Sequence, residues 1–104
     1  PIILFARDPK CSPGTLIDTS ADCLSLYWSM NDFDIQFARN KTALQGNLNP
    51  KILLESKGVI KTETHKLLEK FKDFPGYVFN LGHGLTPDIC PEKVKYLTEL
   101  VREY

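Results

Sequence analysis

The stretch Tyr77-Val-Phe-Asn-Leu-Gly-His-Gly84 decides how the fold of this chain is interpreted. It begins as an apolar, β-favouring run of the kind that forms a buried strand, and it ends in a polar glycine turn. Functional sites of parallel α/β folds lie at the carboxyl ends of the strands. We therefore expect His83, which stands between two glycines, to project into a site, and we expect Gly82 or Gly84 to have a positive φ.

The composition is that of an ordinary globular domain. The chain has 104 residues, 42% of them hydrophobic, and 13 basic residues balance 13 acidic ones. This balance argues against a nucleic-acid surface as the main role of the chain. No apolar run approaches the roughly 20 residues of a membrane span, and no signal peptide is visible. Cys11, Cys23 and Cys90 show no CxxC spacing, which favours reduced thiols in a cytoplasmic protein.

Four strand–helix units follow one another along the chain. The predicted strands are Ile2–Ala6, Cys23–Trp28, Thr42–Gln45 and Tyr77–Leu81. The predicted helices begin at Ser12-Pro13, at Asp32 acting as a cap, at Pro50, at about Lys57 and after Pro91. The continuous apolar run of the first strand predicts that both of its faces are covered, and Gly46-Asn47 is expected to end the third strand.

Alternating strands and amphipathic helices predict an α/β fold with parallel strands and right-handed crossovers. Four units are half the number in an eight-stranded (β/α)8 barrel, which takes about 250 residues. A small open α/β sheet is the alternative, although the chain lacks its phosphate-binding glycine fingerprint. Since Pro1 lies directly at a predicted strand, we interpret the chain as part of a longer polypeptide.

Parallel strands would bring their carboxyl-terminal residues together at one end of the sheet. The residues expected there are Arg7, Asp8, Tyr27, Trp28, Gln45, Asn47, Asn80 and His83. A polar surface with aromatic residues at its edge suits a flat ligand that carries carboxylates, because arginine and histidine can both donate hydrogen bonds to them. Ordinary structural roles are open for most of these residues, such as packing for Trp28. A histidine between glycines is a poor filler of a core, so His83 is assigned a functional role.

Two segments then resemble signature stretches of the uroporphyrinogen decarboxylase family. They are Thr42-Ala-Leu-Gln-Gly-Asn-Leu-Asn-Pro50 and Phe79-Asn-Leu-Gly-His-Gly-Leu-Thr-Pro87, and their spacing also fits. The resemblance extends over residues 1–104 and implies the C-terminal half of a (β/α)8 TIM-type barrel. It implies a cytoplasmic enzyme, homodimeric at full length, that decarboxylates the four acetate groups of uroporphyrinogen III to give coproporphyrinogen III in haem biosynthesis. It also implies no metal, no organic cofactor, no nucleic acid and no membrane.

The resemblance identifies His83 with the active-site histidine of the family, which binds or polarises substrate carboxylates. Arg7, Tyr27 and Asn80 are predicted to bind substrate beside it. Tyr27 stands where the family usually has Asp, in Leu26-Tyr27-Trp28. The family's paired arginines, its pyrrole-binding Asp and its active-site Tyr and Ser belong to the first half of the barrel, so the 104-residue chain is expected to be inactive alone.

Two other interpretations are open. A zinc-dependent corrinoid methyltransferase shares the barrel family, but it needs a His-x-Cys pair where this chain has Phe5-Ala6-Arg7, and a later Cys near the position of His83. The other is a non-catalytic half-barrel or assembly module. Such a module would expose two edge strands that invite pairing with another copy.

Overall fold

The computed structural model describes residues 1–7 and 12–104. Four strands alternate with four α-helices and one short 3-10 helix. The strands are β1 (Ile3–Phe5), β2 (Cys23–Ser25), β3 (Ala43–Leu48) and β4 (Tyr77–Leu81). The helices are α1 (Pro13–Ile17), α2 (Asp32–Ala38), the 3-10 helix (Pro50–Leu54), α3 (Lys57–Phe71) and α4 (Pro91–Glu103). The predicted roles of Asp8 and Cys11 lie outside the described residues.

The four strands form one parallel sheet in the order β1-β2-β3-β4, so each strand pairs with the next along the chain. A doubly wound sheet would instead reverse its strand order at a switch point. Consecutive parallel pairing is the arrangement found in (β/α)8 barrels. The predicted α/β fold of four β-α units is therefore confirmed.

The helices pack on one face of the sheet, and the strand side chains in their two clusters come from alternate positions of each strand. Leu24, Leu26 and Leu44 pack with Ile35 of α2 and Phe71 of α3 in one buried cluster. A second buried cluster lies toward β4 and α4, and it contains Leu48, Leu53, Ile60, Ile89, Leu97 and Leu100. Leu67 of α3 packs against both clusters. In the part of the chain that the structure describes, no helix is long and apolar enough to cross a membrane.

Three expectations about the strands are wrong. β1 is covered on one face only, since Ile3 and Phe5 are 55% and 43% exposed on the other. β3 does not end at Gly46-Asn47 but continues to Leu48, because Gly46, Asn47 and Leu48 each pair with a residue of β4. The pairing with β4 outweighs the preference of glycine and asparagine for turns. β2, predicted through Trp28, ends at Ser25.

The helix starts are mostly as predicted, with one correction. Ser12 caps α1, and Pro13 is its first residue, as expected. The cap of α2 is Asn31 and not Asp32, because the Asn31 side-chain oxygen accepts a hydrogen bond of 2.8 Å from the backbone N of Asp34. Asp32 instead lies in the first turn, where its charge suits the helix dipole.

Tyr77 links β4 to the core, and its burial predicts that the stability of the folded chain depends on pH. Its ring stacks on Phe71 with centroids 4.4 Å apart, and its hydroxyl donates to the Gly46 carbonyl oxygen. Burial raises the pKa of Tyr77 above its usual value. The folded chain therefore favours the neutral form of this phenol. The contribution of Tyr77 to the stability of the folded state is fully present below about pH 10, the pKa of an unfolded tyrosine, and is lost as the pH rises above that value.

We expect Tyr77→Phe to be less stable than the wild type by about 1 kcal/mol at pH 8, where the hydrogen bond is intact. The difference should shrink as the pH rises above about 10, because only the wild type carries the phenol. Urea unfolding of both chains at a series of pH values measures this. A difference that stays constant to pH 11 would contradict the assignment.

Candidate active site

The face of the sheet that carries no helices forms the floor of an open cleft. Its volume is about 560 Å³, and Phe5, Ser25, Gln45, Asn80, His83 and Leu85 are among its lining residues. We call it the sheet cleft. The register places Phe5, Ser25, Gln45 and Val78 side by side across the four strands. His83 follows the carboxyl end of β4, so the cleft occupies the end of the sheet where sites of parallel α/β proteins are built.

The backbone around Gly82 determines where His83 lies. The Gly82 N–H donates to the carbonyl oxygen of Leu48 over 2.8 Å, and the Gly82 carbonyl accepts from the Trp28 N–H over 3.2 Å. The turn after β4 is thereby attached both to the end of β3 and to the segment after β2. A Cβ at Gly82 would lie 2.5 Å from Cα and Cβ of Trp28, so only glycine fits this approach.

The expected positive φ at Gly82 or Gly84 is wrong. Among the described glycines, Gly46 alone has a positive φ, of +135°, and its Cβ would meet the Leu26 carbonyl oxygen at 3.1 Å. Gly82 is required by crowding and not by its own backbone conformation. Gly84 has open space around it.

Two aromatic rings flank the His83 imidazole. The Phe5 ring lies 6.3 Å from it at 74°, and the Tyr27 ring lies 6.1 Å from it at 79°, both edge-to-face. The Tyr27 segment is itself held by Asn47, whose side-chain amide donates to the Tyr27 carbonyl oxygen over 3.2 Å. His83 Nδ1 lies 3.5 Å from the Gly84 carbonyl oxygen, at the outer limit of a hydrogen bond, which leaves Nε2 for a ligand.

The structure brings together only part of the predicted group. Asn80, Gln45 and His83 line the sheet cleft, and Tyr27 packs against His83. Trp28 and Asn47 instead line a separate cleft on the helix side of the sheet. Arg7 is exposed beyond the end of β1, and no hydrogen bond or ion pair joins its side chain to other described residues.

Sequence reasoning did not assign Phe5 and Ser25 to the site. Gln45 Nε2 donates to Ser25 Oγ over 3.0 Å across the uncovered face. The alternation of Leu24, Ser25 and Leu26 could have revealed this, since a serine between two core leucines must face the other side of the sheet. Within residues 1–7 and 12–104, no group of three His, Cys, Asp or Glu side chains is arranged to hold a metal ion.

Consecutive parallel β-α units with polar residues at the strand carboxyl ends define a partial unit of the (β/α)-barrel class of proteins. The family model described as "Uroporphyrinogen decarboxylase (URO-D)" matches residues 1–104. The chain belongs to the uroporphyrinogen decarboxylase family.

Curated relatives agree with this assignment. The uroporphyrinogen decarboxylases of Vesicomyosocius okutanii and Aquifex aeolicus are 39% and 42% identical to the chain, and each alignment covers 100% of it. That of Chloroherpeton thalassium is 42% identical over 99% of the chain. The chain spans about 30% of the length of each of these relatives.

Proposed function

We propose that this chain forms the C-terminal half of a barrel, over residues 1–104, in a cytoplasmic uroporphyrinogen decarboxylase. The reaction would convert the four acetate groups of uroporphyrinogen III to methyl groups, which gives coproporphyrinogen III in haem biosynthesis. The enzyme would need no metal or organic cofactor and would act as a homodimer. The observation that carries the proposal is the position of His83 in the sheet cleft, between the rings of Phe5 and Tyr27.

The chemistry assigns separate roles to binding and to the reaction step. A pyrrole carbon is protonated, and the bond between the acetate methylene and its carboxylate then breaks. Carbon dioxide leaves, and the electron pair forms an exocyclic methylene as it neutralises the protonated pyrrole. Addition of a proton at the methylene carbon and loss of the proton from the ring carbon then give the methyl group. His83 would donate from Nε2 to a substrate carboxylate, and the Asn80 amide would donate beside it. Tyr27 and Arg7 would add contacts at the edge of the cleft. These groups hold the ring in place, and the charge of the cationic intermediate must be stabilised by an acid from elsewhere.

A substitution at His83 tests the proposal. In the polypeptide that carries this chain in the cell, His83→Ala should slow each of the four decarboxylations by about 10- to 100-fold, because a hydrogen bond to a charged group contributes about 1.5–3 kcal/mol. The measurement is the rate of each carboxylate loss, followed by chromatography of the oxidised porphyrins.

His65→Ala is the matched control, since His65 lies on α3 and packs against Tyr104, away from the sheet cleft. The control should retain the wild-type rates. Unchanged rates in His83→Ala would remove His83 from the active site.

A further inference from the structure

A hydrogen-bonded pair of neutral side chains lies on the floor of the sheet cleft. Ser25 is buried on β2, Gln45 is half-buried on β3, and the register places the two residues side by side. The Gln45 amide donates to the Ser25 hydroxyl oxygen over 3.0 Å. Phe5 on one flank and Val78 on the other are apolar neighbours in the same row. The pair therefore forms the polar centre of a row whose outer members are apolar.

The hydrogen bond leaves donors unused. Gln45 gives one N–H to Ser25 Oγ, so the Ser25 O–H and the second Gln45 N–H remain free, and neither has another partner among the described side chains. Buried polar groups are normally hydrogen-bonded, and a donor on the floor of a cleft obtains its partner from a ligand or from water.

The electrostatics of the cleft favour an anionic ligand. Of the described residues that line it, none is acidic, and Asn80 and His83 supply further donors. Hydrogen bonds from such donors to a carboxylate are charge-assisted and are stronger than neutral ones. No side chain among these described residues would repel the negative charge.

We propose that Ser25 and Gln45 form a binding site for a carboxylate of the substrate, with Gln45 both binding and orienting the Ser25 hydroxyl. This inference rests on the proposed function, because the carboxylate would be one of the acetate or propionate groups of the porphyrinogen. The pair would hold one edge of the ring against the floor of the cleft, while His83 acts at the end of the strands.

The test uses the polypeptide that carries this chain in the cell, with uroporphyrinogen III as substrate. Ser25→Ala should raise KM about tenfold with little change in kcat, since the contact contributes binding rather than transition-state stabilisation. Ser25→Thr keeps the hydroxyl and should restore most of the affinity. Ser29→Ala, at an exposed turn outside the sheet cleft, is the matched control and should behave as wild type.

Gln45→Glu distinguishes a carboxylate from a pyrrole N–H as the bound group. A carboxylate ligand would be repelled by the new charge, so KM should rise more than in Gln45→Leu. If Gln45→Glu lowers KM, the pair accepts pyrrole N–H groups, and the proposal is overturned.

Two comparisons complete the test. An equal effect of Ser25→Ala on uroporphyrinogen and on a pentacarboxylate porphyrinogen would identify a propionate, and an effect confined to uroporphyrinogen would identify an acetate. Either result supports the pair. Unchanged KM in both Ser25→Ala and Gln45→Leu, in an enzyme that decarboxylates normally, would refute the pair alone, whereas a wild type without decarboxylase activity would refute the proposed function.

Discussion

Purified alone, the 104-residue chain is expected to form no coproporphyrinogen from uroporphyrinogen above the uncatalysed background. The uncovered face leaves Ile3 and Val78 55% and 49% exposed, so water has access to the floor of the sheet cleft. In water, any electrostatic stabilisation of the cationic intermediate would be strongly weakened.

Two acids of the described residues, Asp32 and Asp88, already have partners within the chain. Asp32 forms an ion pair with Lys70 on the helix side, and the Asp88 carboxylate accepts from the Thr86 hydroxyl. Asp8, the acid predicted at this end of the sheet, lies outside the described residues. The family resemblance implies that the carboxylate close to the pyrrole nitrogens belongs to the first half of the barrel.

Restoring the first half of the barrel should restore activity. We expect turnover from a chimera in which this chain replaces the matching 30% of the Aquifex aeolicus relative, with which it shares 42% identity. The same chimera with His83→Ala controls for the site, and porphyrin chromatography measures the product. Turnover by the 104-residue chain, verified free of any longer decarboxylase, would contradict the expectation.

Gly82→Ala is expected to be the most destabilising of the single glycine-to-alanine changes near the site, at about 3 kcal/mol. The added methyl would meet the backbone and Cβ of Trp28 at 2.5 Å. A flexible side chain could rotate away, but a backbone cannot. Relief of the clash would separate the two segments and break the hydrogen bond from the Trp28 N–H to the Gly82 carbonyl.

Gly84→Ala provides the matched control, because no atom lies within 4 Å of its added Cβ. It should change the free energy of unfolding by no more than about 0.5 kcal/mol. Urea unfolding followed by circular dichroism compares the two chains, and a Gly82→Ala chain that is unfolded without urea also agrees with the expectation. Equal stability of both variants would show that the turn accommodates the added methyl group without loss of stability, and it would contradict the expectation.

Periodicity was sufficient to predict the units of this fold. Apolar runs and helix starts marked by proline predict the four strands and the helices between them. The prediction works because one face of each element is buried, and the spacing of its apolar residues reflects that burial. The end of β3 was missed, since pairing with β4 is a contact between distant segments and local glycine preference points the other way. The apolar run of β1 predicts that both faces of the strand are covered, but only one is. A run of apolar residues does not show which of its faces has other segments packed against it.

Residues of the candidate site can be predicted from sequence where a residue type is unusual, but not where only the three-dimensional contacts single them out. His83 stood out between its glycines, and Asn80 followed from its strand position. Ser25 has no unusual sequence context, and its proposed role depends on a hydrogen bond from Gln45, which is 20 residues away. Asn47 was expected to face a ligand, yet its amide holds the Tyr27 segment.

The consecutive strand order has a consequence for how the sheet is assembled. No strand is inserted between two others, so each unit completes one edge and creates the next. In a sheet of this order another strand can always be added at an edge. Addition ends only when the curvature of the sheet brings the first and last edge strands together into a closed barrel. Until that closure, β1 and β4 each present unpaired backbone groups, and the same ladder that adds the correct neighbour can also recruit a strand from another molecule.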